Sequence, residues 1–157
     1  MTRLGSKLPF REAAEEVWYS CRTRVCEATL RHVTQRHGAA AEALVREEVE
    51  ALERDAPEAS SHPQQLFVSV DGAFVQLTTG QWREVKSLAV GEFASELNPK
   101  TWEQQVKAKE LSYFSRSYGV RDFERYSLAE FHRRGLENAQ TLVAVNDGAE
   151  WIQSFLD

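Results

Sequence analysis

Two short apolar runs in this 157-residue chain end in the same dipeptide, and that repetition limits what the chain can fold into. Leu66-Phe67-Val68-Ser69-Val70 runs into Asp71-Gly72. Thr141-Leu142-Val143-Ala144-Val145 runs through Asn146 into Asp147-Gly148. Short runs of β-branched and aromatic residues closed by Asp-Gly read as buried strands with an acid at the tip. Two strands that each hold a carboxylate at one end can grip divalent cations between them. A phosphoryl-transfer nuclease needs that arrangement.

The surrounding segments extend the pattern. Asp71-Gly72 is itself a hairpin-type turn signal. Residues 66–93 therefore read as three consecutive antiparallel strands, with Thr78-Thr79-Gly80-Gln81 as a second turn and Asp71 where the first strand gives way to the second. From Arg121 to Gly135, Phe123, Leu128 and Phe131 share the spacing of a helix facing a sheet. Gly135 is its stop, with Arg133 and Arg134 at its negative end. Residues 149–156, after Asp147-Gly148, read as the first turns of another helix. Three strands, a helix, a strand and a helix, with acids on the first and fourth strands, is the element order of the ribonuclease-H-like fold.

Upstream the period changes from two to 3.6. Phe10, Ala13, Ala14, Val17 and Trp18 follow the spacing of an amphipathic helix, with Pro9 in its first turn. A polar break at 19–24 precedes a second stretch, with Val25, Cys26, Leu30 and Val33 on one side. Two helices with a tight break between them form a helix-turn-helix candidate, whose second helix offers Arg24, Glu27, Arg31, Thr34 and Gln35 to DNA. The bland alternative is a hairpin that only packs or dimerises. Ala41, Val45, Val49 and Leu52 then form a narrow apolar stripe suited to packing or self-association, and Gly38 is a candidate kink. Residues 55–65 carry two prolines, small residues and no large apolar side chain, the composition of a linker. His62 belongs to that linker and reads as solvated.

Composition bounds the rest. Apolar content of 42% and charged content of 27% suit a globular protein. No run approaches a membrane span and no basic-then-apolar leader opens the chain, so the expected compartment is the cytoplasm, with no membrane partner. Cys21 and Cys26 lack a second ligand pair for zinc, and a disulfide is not expected in a reducing compartment; Cys26 reads as a small core residue. A net charge of −5 argues against a nucleic-acid binder. Its distribution weakens that objection. Residues 1–36 hold seven Lys/Arg against four Glu, whereas residues 37–58 hold two Arg against seven acids.

The words VSVDGAFVQL, WREVK and VNDGAEWI, at this spacing, resemble insertion-sequence transposases of the ISKra4 type. LPFREAAEEVW…RVCEATLRHV resembles the helical region which that family carries upstream, so the resemblance runs from about Leu8 to Leu156. It implies a ribonuclease-H-like catalytic domain with an Asp-Asp-Glu triad. Asp71 matches the first acid and Asp147 the second. The third has no match before Asp157. The resemblance also implies a loop after the third strand, with Ser112-Tyr113 starting a helix.

The expected fold is therefore α/β. A helical, helix-turn-helix-like module (1–54) precedes a linker (55–65) and a partial ribonuclease-H-like domain with a mixed sheet (66–157). The expected function is that of an N-terminal fragment of a DDE transposase. It binds transposon-end DNA as a homo-oligomer and holds Mg²⁺ or Mn²⁺ on Asp71 and Asp147. In strand transfer one phosphodiester oxygen displaces another, and two ions roughly 3.5–4 Å apart stabilise both. With only two acids the chain is expected to be inactive by itself. The alternative is a non-catalytic DNA-binding or interaction remnant that regulates a transposase. Smaller expectations complete the reading. Glu84 and Lys86 share a strand face as a cross-strand pair or solvated edge. Glu150 supports a helix N-terminus, and Trp82 and Trp151 are core or capping aromatics.

Overall fold

The computed structural model describes residues 1–156. These residues form a mixed α/β chain of five α-helices and one four-stranded mixed sheet. They gather into two units, Met1–Glu48 and the residues from Val49 on. Among the described residues no helix is long and apolar enough to cross a membrane.

The first unit holds α1 (Thr2–Gly5), α2 (Phe10–Cys21) and most of α3 (Glu27–Arg54). Pro9 precedes α2 with φ −50°, where a missing N–H costs nothing. The helix stops at Arg22, which turns left-handed at φ 53° and returns its N–H to the Trp18 carbonyl. Ala13 and Val17, one turn apart on α2, meet Leu30 of α3, with Leu4, Phe10, Ala14 and Val25 around them. Two expectations change here. Cys26 is exposed and not core; it directly precedes α3, where its carbonyl accepts the Leu30 N–H and its thiol lies 3.1 Å from the Thr29 hydroxyl. Gly38 does not break the path, because α3 runs through it as one 28-residue helix. A glycine in a helix interior costs about 1 kcal/mol relative to alanine, and three alanines, Ala39 to Ala41, follow it.

The second unit is built on β1 (Gln65–Gln76), β2 (Trp82–Leu97), β3 (Gln104–Arg116) and β4 (Thr141–Val145), in the spatial order β3-β2-β1-β4. Both hairpin pairings are antiparallel, and β4 lies parallel to β1. The crossover to β4 carries α4 (Val120–Arg133) and a 3-10 turn at Leu136–Asn138. Helix α5 (Glu150–Leu156) follows β4. Strand alternation sorts the side chains. Leu66, Val68 and Val70 of β1, Leu88 and Val90 of β2 and Phe114 of β3 point to one face, under Phe123 of α4 and Ile152 of α5. Phe123 is the hub: its ring lies 5.6 Å from Phe114 and from Phe155, and 6.3 Å from Trp151.

The strand count within 66–93 is two, not three. Asp71-Gly72 makes no turn, and β1 passes straight through it while paired to β2 from Leu66 to Gln76. The hairpin turns later, between Leu77 and Gln81. The third strand lies at 104–116, where a loop and a helix start at Ser112-Tyr113 were expected. An extra residue on β3, between the Val90–Ser112 and Glu92–Lys109 pairs, hid it. Glu110 sits there at φ 50° and shifts the alternation by one residue, so no single period of two spans the strand. On α4, Phe123 and Phe131 pack on the core as expected, whereas Leu128 is exposed. Gly135 stops this stretch at φ 65°. Segment 55–65 has little regular structure but is tied down: Ala59 is buried, and the Asn138 amide donates to the carbonyls of Ala59 and Ser61. Val49 is fully buried and Leu52 half-buried, so half of the α3 stripe is already occupied within this unit.

Candidate functional site

Asp71 lies within β1 and Asp147 two residues past the end of β4, the strand parallel to it. The β1–β4 register pairs Gln65 with Thr141 and continues in step to Ser69 with Val145. Two residues beyond that last pair on each chain come Asp71 and Asp147. Neighbouring strands run about 4.8 Å apart. Asp147 therefore lies just past the point where β4 leaves the sheet, while β1 continues through Asp71 against β2.

Local hydrogen bonds hold each carboxylate. Asp71 Oδ1 accepts its neighbour's N–H, from Gly72, at 2.8 Å. Asp147 Oδ1 accepts the N–H of Ala149 at 3.1 Å, at the entry to α5, while Asn146 Oδ1 accepts the N–H of Gly148 at 2.8 Å. Both aspartates are exposed, and among the described residues neither is ion-paired with Lys or Arg.

The two glycines that follow these acids serve different ends. Gly148 sits at φ +83°, a conformation that L side chains rarely adopt, so its role is the turn that sequence reasoning gave to both. Gly72 lies in extended strand. A Cβ there would come within 2.6 Å of Glu84 Oε1 and 3.3 Å of Trp151 Cζ2. Its role is to let α5 and the Glu84 side chain approach β1 closely.

Beneath that approach lies a charged pair which sequence reasoning placed only in part. Glu84 and Lys86 share a face, as expected, but pair along their own strand and not across strands. Lys86 is 4% exposed, directly opposite Gly72 in the register. Its ammonium donates to Glu84 and, at 3.4 Å, to the Tyr118 carbonyl, and lies 5.1 Å from the centre of the Trp151 ring. The signal was present: Glu84, Lys86, Leu88 and Val90 share one parity, so the charged pair extends a buried apolar row. Trp151 packs on the core as expected, whereas Trp82 is 63% exposed. Glu150 lies in the first turn of α5.

The expected DNA-contacting residues belong to the first unit. Arg31 and Gln35 are exposed on α3. Arg31 is ion-paired with Glu27 one turn back, and its guanidinium lies 5.4 Å from the centre of the Phe10 ring. Arg24 is not on the helix; it lies in the loop before α3, 5.0 Å from the centre of the Trp18 ring. Trp18, Arg11, Glu15, Arg24 and Glu27 line a hollow of about 370 Å³.

No protein-family model, curated protein sequence or solved structure matches the chain. The geometry must therefore carry the chemistry alone. The exposed carboxylates of Asp71, on β1, and of Asp147, just past β4, are hard oxygen donors, the kind that Mg²⁺ and Mn²⁺ prefer. Among the described residues no group of three or more His, Cys, Asp or Glu gathers at a metal-binding spacing. The pair fits a weakly held ion that keeps most of its water, and not an all-protein cage.

Proposed function

We propose that this chain belongs to a DDE-type transposase. Its second unit would be the ribonuclease-H-like part that carries Asp71 and Asp147, and its first a helix-turn-helix-like DNA-binding module. One observation carries the reading: β1 and β4 pair in parallel, and Asp71 and Asp147 each follow their last register pair by two residues. The strand order β3-β2-β1-β4, with a helical crossover before β4, supports the fold assignment. Asp71 and Asp147 would hold Mg²⁺ or Mn²⁺, which when bound stabilises charge on the attacking and leaving phosphodiester oxygens. The chain's own contribution is to orient each carboxylate, Asp71 by the Gly72 amide and Asp147 by the Ala149 amide, and to leave both open to solvent.

Manganese titration tests the site directly. Paramagnetic broadening of backbone amides should centre on residues 70–73 and 146–149 and vanish in both Asp71→Asn and Asp147→Asn. Broadening that survives both substitutions would remove the site. Any Mg²⁺- or Mn²⁺-dependent strand cleavage should be lost in Asp71→Asn and in Asp147→Asn.

The second reading is a non-catalytic DNA-binding or interaction protein that regulates a transposase. The exposed Arg31 and Gln35 of α3 and Arg24 in the loop before it, in a unit that holds neither acid, favour it. Gel shifts with and without Mg²⁺, on wild type and on Asp71→Asn, separate the readings: the ion competes for phosphates in both, but only a metal site at Asp71 makes the Mg²⁺ response depend on that side chain. In either reading, binding through Arg24 and Arg31 should fall steeply with salt, and the Arg24→Ala, Arg31→Ala double variant should flatten that slope.

A further inference from the structure

Among the described residues Lys86 is the one buried cation. Leu88 and Val90 follow it on the same face of β2, so its ammonium heads an apolar row. Taking that charge out of water is costly, and an apolar side chain of similar size would fill the space at least as well. What the charge adds is direction. The ammonium donates to the Glu84 carboxylate on its own strand and, at 3.4 Å, to the carbonyl of Tyr118, two residues ahead of α4. It also lies 5.1 Å from the centre of the Trp151 ring of α5, within the range in which a cation is attracted to an aromatic face. Trp151 is fixed from other sides as well. Phe123 meets it edge-on at 6.3 Å. Gly72, opposite Lys86 in the register, leaves out the Cβ that would crowd the ring against β1.

The turn that carries Asp147 is tied to that same helix. The β1–β4 pairing ends at Val145. Beyond it, Asp147 Oδ1 accepts the Ala149 N–H at 3.1 Å, and the Gly148 carbonyl accepts a hydrogen bond of 3.1 Å from the Gln153 amide. Ala149 itself packs on the core. Where α5 rests therefore sets where Asp147 stands. We propose that Lys86 is a positioning residue for Asp147: through the Trp151 ring it fixes α5 over Gly72, and with α5 the turn that bears the carboxylate. Groups behind a metal ligand orient it, and losing one typically weakens metal binding by roughly tenfold or more. The expected effect on metal rests on the reading of Asp147 as a ligand; the placement of its turn does not.

NMR of the full chain, without metal and then through a Mn²⁺ titration, tests it. Glu84→Gln combined with Lys86→Met removes one charge of each sign, so the net attraction for a cation is kept. This pair variant should melt close to wild type, as apolar replacements of buried ion pairs commonly do. Its Ala149 amide proton should nevertheless move most of the way to the position it takes in Asp147→Ala. Broadening at residues 146–149 should need about tenfold more Mn²⁺. Trp151→Leu leaves the ion pair and removes only the ring; it should give the same two changes, and it decides the matter if the pair variant does not fold. Lys86→Arg keeps a cation beside the ring and should stay near wild type in both. A folded pair variant, or Trp151→Leu, with the Ala149 resonance unmoved overturns the proposal, whatever its melting temperature. Should wild type show no Mn²⁺ response, the metal reading of Asp147 fails, and the Ala149 resonance alone decides whether Lys86 positions that side chain.

Discussion

The two faces of the sheet are made by alternate residues of the same strands, yet they meet different surroundings. Leu66, Val68 and Val70 lie at 2% exposure or less beneath α4 and α5, while Phe67 and Ser69, interleaved with them, remain half-exposed. Both faces are apolar enough to serve as a core. The difference comes from α4 and α5. The crossover to β4 lays Phe123 on one side only, and α5 returns to that same side with Ile152, Trp151 and Phe155. A strand's alternation fixes which residues share a face, but the handedness and placement of its connections decide which face is covered. Asp71 and Gly72 divide between the two faces: Asp71 has the parity of the open face, and the Gly72 beside it is the point where α5 approaches from the covered one.

The sharpest way to break this contrast is to truncate one side chain on each face. Phe123→Ala removes the hub of the covered face and should cost about 3–5 kcal/mol of unfolding free energy, the usual range for a buried aromatic. Val106→Ala on the open face should stay within about 0.5 kcal/mol when measured on the monomer. Urea unfolding at low concentration reads both. Equal costs would mean that the open face is already packed and would sink the comparison.

How far this contrast was legible in the sequence depends on the residue. That both apolar runs form strands was visible, but the expected burial and tip position held only in part: β4 is exposed at all five positions, and β1 runs on past Asp71 to Gln76. α2 and the Gly135 stop were visible as well. The third strand was not, because the extra residue at Glu110 moves Leu111 and Tyr113 out of step with Val106 and Ala108. The role of Gly72 was misread because a turn glycine and a close-approach glycine look alike until the approaching residue is known. Trp151, which makes the difference, is 79 positions away. Cys26 was placed in the core because its spacing from Leu30 was right, but the helix begins one residue later and leaves it outside.

That ambiguity gives the next prediction. Gly72→Ala and Gly148→Ala put the same methyl after the two matching acids. At Gly72 the methyl meets Glu84 and Trp151 and should cost about 1–3 kcal/mol through overpacking. It should also disturb the Lys86 environment, which shows as a change in Trp151 fluorescence. At Gly148 there is room, with Gln153 Nε2 4.0 Å away as the nearest contact, and the cost is that of a left-handed backbone, about 1 kcal/mol. A Gly72→Ala melt identical to wild type would show that α5 does not bear on β1 as described.

The smallest effect lies at the rim of the covered side. Arg125 of α4 donates two hydrogen bonds of 2.7 Å to Glu53, near the end of α3. The guanidinium holds the Glu53 carboxyl below its ordinary value. A carboxylate whose folded pKa is lowered adds stability above its unfolded pKa, and that addition disappears as pH falls through the folded value. Both side chains are 38% exposed, so solvent screens the pair and the gain is small. Comparing wild type with Glu53→Gln in thermal melts from pH 7 down to about pH 3 isolates it from the other carboxylates. The gap between the two should be widest near neutrality, narrow as pH drops below the ordinary Glu value of about 4.3, and close once Glu53 is protonated in both states. High salt at pH 7 should narrow it as well. A gap that widens on acidification would mean that Glu53 is stabilised in its protonated form, and that the Arg125 contact does not hold α4 at this edge of the sheet.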